Sequence, residues 1–139
     1  MKNKFWVAFI VAFIVLAILE FIVNNLLMAS CYEQTSQLWR PMGEMKMWIF
    51  YVVYLFIAFF FTLIFSRWQR GRGLMDGLQF GVYAGMMVAV PMAYASYASM
   101  PIPYSFALQW FIYGLLEYII LGTVVAAVYG KKLAEVAPA

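Results

Sequence analysis

Four long apolar runs, parted by short polar stretches, set the pattern of this chain. They cover about residues 5–28, 47–66, 74–97 and 104–129. Each holds roughly 20 residues or more, enough to cross a ~30 Å hydrocarbon layer as a helix rising 1.5 Å per residue. A strand period is absent, and in lipid a lone segment satisfies its backbone polar groups only as a helix. The pattern therefore predicts an all-α, four-transmembrane-helix bundle forming one transmembrane domain over residues 1–139. A polar outer loop over about 29–46 is predicted between the first two helices.

Composition supports lipid as the surrounding medium. Hydrophobic residues make up 67% of the chain and charged residues 11%, whereas soluble domains carry about 25% charged residues. The charges cluster between the runs, so a pI near 9.0 reads as membrane topology. Lys2, Lys4, Arg67, Arg70, Arg72, Lys131 and Lys132 fall on one side, and Arg40 and Lys46 fall on the other with Glu33 and Glu44. The positive-inside rule then places both termini in the cytoplasm. No basic stripe of the kind that tracks a nucleic-acid backbone is present. The expected partners are the bilayer and a homo-oligomer or larger membrane complex.

The chain has one cysteine, Cys31, and no histidine. That excludes an internal disulfide, histidine-ligated haem and a Ser-His-Asp triad within the chain. No phosphate loop or nucleophile elbow is present either. A non-enzymatic protein without a cofactor is expected. The sequence around Leu27-Met28-Ala29-Ser30-Cys31 loosely matches a lipoprotein signal, but the run before it is long for one and contains Glu20, Asn24 and Asn25.

Small residues recur every four positions in the third run: Gly73, Gly77, Gly81, Gly85, Ala89 and Ala93. That spacing puts them on one helix face, where another backbone can approach closely. The fourth run carries a matching row of Gly114, Gly122, Ala126 and Gly130. Tight packing of the third helix on the fourth is the preferred reading, with a homodimer as the alternative. Pro91 predicts a kink in the third helix. The second run, rich in phenylalanine, is expected to face lipid more than the others.

Two carboxyl residues lie within the apolar runs. Glu20, with Asn24 one turn on and Asn25 beside it, is in the first; Glu117, aligned with Gln109 and Tyr113, is in the fourth. Their depths differ by about 5 Å at 1.5 Å per residue, so they meet if the two helices are neighbours. A charge at mid-membrane costs roughly 3 kcal/mol on insertion scales, so partnered or protonated carboxyls are expected. These six residues form the candidate polar site. Its functional reading is proton or cation response, and its plain reading is a polar clamp between helices. Met42, Met45 and Met47 form an outer thioether cluster that suits Cu(I), although methionine is also ordinary core filler.

The stretch Gly77-Leu78-Gln79-Phe80-Gly81-Val82-Tyr83-Ala84-Gly85, with Pro91, Phe111-Ile112-Tyr113-Gly114 and Leu121-Gly122-Thr123-Val124-Val125-Ala126, resembles small bacterial four-helix membrane proteins of unknown function. The resemblance implies a bacterial inner membrane and a four-helix unit, and it brings no catalytic residues. The sequence thus predicts a non-enzymatic multi-pass inner-membrane protein, acting as an accessory or packing subunit or binding an apolar ligand. The alternative is a small oligomeric transporter or channel component using Glu20 and Glu117. A lipid-modifying enzyme ranks last, because the loops lack paired catalytic groups.

Overall fold

A computed structural model describes residues 2–130 of the chain. Among them all regular structure is helical. Four helices are long and apolar enough to cross a membrane: α1 (Lys2–Leu27), α3 (Met47–Trp68), α4 (Leu74–Ser99) and α5 (Tyr104–Tyr129). A short helix, α2 (Ala29–Gln34), follows α1. Side chains such as Trp48, Phe56 and Met87 stand more than 60% exposed on the outer faces. Apolar surface of that extent suits lipid rather than water.

The helices pack as two hairpins. In the first, α1 lies on α3; in the second, α4 lies on α5; close contact of α1 with α5 joins the hairpins. The inner core gathers Ala8, Ala12 and Leu16 of α1, Phe61 and Phe65 of α3, and Tyr118 and Leu121 of α5. The alanines let α1 come close to its neighbours without a side chain between. α5 is the most enclosed of the four helices, and α1 and α3 are equally the least. The phenylalanine-rich α3 is thus no more lipid-facing than α1, because Phe61 and Phe65 turn inward onto Phe80.

α4 and α5 pack backbone to backbone. A Cβ built on Gly77 would strike the Gly122 carbonyl oxygen and the Ala126 methyl, and one on Gly81 would strike the Tyr118 carbonyl oxygen. At Gly85 the obstacle is Leu115, and at Gly114 it is the Cβ of Ala89, 3.1 Å away. The small-residue face of α4 is therefore filled from within the chain. Gly73 lies outside this row: it precedes α4 with a φ of 70°, a left-handed conformation that glycine adopts freely.

Two helices widen into π turns. In α1 the change covers Ile22–Leu27. There the side-chain amides of Asn24 and Asn25 donate to the carbonyls of Glu20 and Phe21, four residues back. Such amides compete with the backbone for the same acceptors. In α4 the π turn covers Pro91–Ala95. Proline has no N–H for the carbonyl of Met87, and the helix widens and continues to Ser99 instead of ending.

Lys4 Nζ donates to the Tyr129 carbonyl at 3.1 Å. The start of α1 and the end of α5 therefore share one face of the bundle. Lys131 and Lys132 lie outside the described residues.

Candidate functional site

The region predicted as an outer loop is largely folded against the bundle. α2 and two 3-10 turns, Ser36–Leu38 and Met42–Glu44, occupy much of it. Trp39 turns inward, stacks on Phe106 with centroids 6.0 Å apart, and meets Trp110 and Tyr32 edge-on. Its indole N–H donates to Thr35 Oγ1 at 2.9 Å, while Thr35 donates to the Cys31 carbonyl at 2.8 Å. Burying the rings is favourable only because these polar atoms find partners. Trp48 does remain on the outside. The result is an aromatic cap over the end of α1 and the start of α5, at the end of the bundle opposite Lys4 and Tyr129, with Met28 and Ile102 buried beneath it.

Below the cap runs a chain of hydrogen bonds. Trp110 Nε1–H donates to the Tyr32 hydroxyl at 2.9 Å. Tyr32 donates to Asn24 Oδ1 at 2.8 Å. Asn24 Nδ2 donates to Glu20 Oε2 at 2.7 Å. Glu20 and Glu117 face each other across the packed α1–α5 interface. All the donors in this chain point from the cap toward the carboxyls. The inner end is open: Glu117 is only 6% exposed, and its Oε1 finds no partner among the described residues. Burial pushes the Tyr32 hydroxyl up to about 12 from its ordinary 10.0, although the hydrogen bond from Trp110 opposes the shift.

Two carboxyls that face each other can hydrogen-bond only when one of them carries a proton, because two carboxylates have no donor between them. An asparagine amide and an indole N–H do not exchange protons readily, so the chain above the pair orients and stabilises charge instead of conducting protons.

Of the six residues expected to form the polar site, the fold joins Glu20, Asn24 and Glu117. Asn25 is exposed, and among the described residues its side chain bonds only to the Phe21 carbonyl. Gln109 is diverted to the outer segment, where its amide donates to Cys31 Sγ at 3.3 Å. Tyr113 packs beside the aromatic cap and makes no hydrogen bond to either carboxyl among the described residues. Met42 and Met47 are exposed at the surface, whereas Met28 is buried under the cap.

Tyr32 and Trp110 were not predicted as site residues. A signal existed in the fourth run: Phe106, Trp110, Tyr113 and Glu117 follow the three-four spacing of one helix face. Asp76 was also missed. It is fully buried at the start of α4 and reaches back to the α3–α4 turn. Its Oδ2 accepts the backbone N–H groups of Arg70 and Arg72 at 2.7 and 3.0 Å, and its Oδ1 pairs with Arg72 Nε at 2.7 Å. The available signal was an acidic residue in the first turn of a helix, where the helix dipole favours negative charge.

Fold and site together define an all-helical bundle, with four helices long and apolar enough to cross a membrane and a carboxyl pair between α1 and α5. No family model, curated protein or solved structure matches the chain.

Proposed function

We propose that the protein is a non-enzymatic multi-pass membrane protein that binds and releases a proton at the Glu20–Glu117 pair, as a component of a small oligomeric transporter or channel. The single observation that carries this reading is the contact of two carboxyls on facing helices within apolar spans. Intramembrane carboxyls are costly to keep, and a mere clamp can be made from amides, so a titratable pair points to use of its proton. Two carboxylates this close repel strongly, so losing the shared proton loosens α1 from α5 and couples protonation to helix packing. The clustered basic residues support cytoplasmic termini, and the resemblance noted above supports a bacterial inner membrane.

The aromatic cap favours a second reading. It closes the outer side of the pair, as a structural clamp in an accessory subunit would require. Two measurements separate the readings. Infrared spectroscopy of the reconstituted protein is expected to show a protonated carboxyl band that changes in both Glu20→Gln and Glu117→Gln. Proteoliposomes are expected to show a pH-driven proton flux that both variants lose. If wild-type liposomes carry no flux while both variants lose stability, the clamp is the correct reading. If both variants keep wild-type stability, spectrum and flux, the site has no function.

A further inference from the structure

α3 and α4 are the two neighbouring spans that do not pack closely. Their backbones stay apart, and a groove of about 300 Å³ runs between them. Its floor is Phe61, Phe80 and Tyr118, which are buried, and its rim is Ile64, Tyr83 and Met87, which are exposed. At one end stands Trp68, next in the chain to Arg67 at the end of α3 and close to Arg70 and Arg72 of the following turn.

The length of the groove argues for its occupant. Along α3 it extends from Ile57 to Trp68, about 16 Å at 1.5 Å per residue. That is about half of a ~30 Å hydrocarbon layer, the depth of one leaflet. A partner helix would need a groove across the whole layer. An acyl chain entering from the basic end needs only this one.

The charges at the mouth argue for the headgroup. Asp76 pairs with Arg72 alone. Neither Arg67 nor Arg70 forms an ion pair among the described residues, and both are exposed. The Arg70 guanidinium lies over the Trp68 ring, 5.5 Å from its centroid, which holds it at the groove entrance. Arginine binds phosphate through a planar fork of donors.

We infer that the α3–α4 groove is a binding site for an anionic phospholipid, with one acyl chain along Phe61, Phe80 and Met87 and the phosphate at Arg67 and Arg70. The site is independent of the carboxyl pair and holds whether or not the protein moves protons. It places a specific lipid in the leaflet on the basic side, where anionic headgroups attract basic residues.

Native mass spectrometry of the full-length protein in mild detergent tests this, using phosphatidylglycerol and phosphatidylcholine with identical chains. Wild-type protein is expected to retain one phosphatidylglycerol in preference to phosphatidylcholine. Arg67→Gln and Arg70→Gln are each expected to weaken phosphatidylglycerol retention about fivefold, the scale of one basic residue near a membrane surface, and to weaken phosphatidylcholine retention less, because its choline offsets the phosphate charge. Met87→Trp, on the exposed rim, is expected to fill the groove and reduce retention of both lipids at least tenfold while helicity stays at the wild-type level. Equal retention of the two lipids by wild-type protein overturns the inference. So does retention that none of the three variants alters, or a dimer that Met87→Trp abolishes while lipid binding persists.

Discussion

The hydroxyl of Tyr32 occupies both sides of one exchange: it accepts the indole N–H of Trp110 at 2.9 Å and gives its own proton to Asn24 Oδ1 at 2.8 Å. Tyr32 belongs to the outer segment, Trp110 to α5 and Asn24 to α1, so this one oxygen ties three elements together above the carboxyl pair.

Removing that oxygen strands two half-buried polar groups. Tyr32→Phe is expected to destabilise the protein by about 1–2 kcal/mol, the lower part of the cost of leaving buried partners unsatisfied. Trp110→Phe removes one of the stranded groups, so the double variant should lose less than the sum of the single losses. Denaturation of the four proteins in the same detergent measures the coupling. Additive losses would refute the network.

The same hydroxyl sets an alkaline limit. Its ionisation in the folded protein is pushed up to about 12, against an ordinary 10.0. Between those values the unfolded chain has released the Tyr32 proton and the folded chain retains it. The stability contributed by the neutral hydroxyl is fully present below pH 10 and is lost as pH rises through about 12. Tyr32→Phe is expected to flatten this part of the stability–pH curve, and ultraviolet absorption should show one fewer late-titrating tyrosinate. An unchanged curve would contradict the burial of the hydroxyl.

Glycine-to-alanine changes inside helices ordinarily stabilise by roughly 0.5–1 kcal/mol. At Gly77 the sign is expected to reverse, because the added Cβ strikes the backbone of α5 at Gly122. Overpacking of this kind costs about 1–3 kcal/mol. Gly43→Ala is the matched comparison, since a Cβ there meets nothing within 4 Å. Thermal unfolding of both variants decides the point, and a stabilised Gly77→Ala protein would mean α4 and α5 are farther apart than described.

Asp76 holds the α3–α4 turn through two backbone N–H groups and one guanidinium. Asp76→Asn keeps the shape but replaces a charged acceptor with one neutral oxygen and an unwanted donor. A loss of about 2–3 kcal/mol is expected, in the range of hydrogen bonds to charged groups. Amide hydrogen exchange at Arg70 and Arg72 should accelerate in the variant, while exchange in α1 should not change. Unaltered exchange at both arginines would show that the turn is held by other means.

Much of the architecture was legible locally. Hydropathy and length mark the four spans because a bilayer imposes its thickness on each segment separately. The four-residue spacing of Gly77, Gly81 and Gly85 marks a close-packing face because helical periodicity needs no tertiary information. Glu20 and Glu117 stood out for the same reason: a carboxyl in an apolar run is anomalous wherever the run packs.

What the tertiary structure decided is which of these faces meet. Only the packing of α1 on α5 brings Glu20 to Glu117, and only the folding of the segment after α1 onto the bundle turns Trp39 inward and gives Trp110 and Asn24 a common partner in Tyr32. Gln109 shares the spacing of Tyr113 and Glu117, yet it ends beside Cys31 because its partner comes from a distant part of the chain. Local pattern assigns a residue to a face; the energy of a hydrogen bond or a packed ring depends on what another segment places opposite that face, and no single stretch of sequence contains that information.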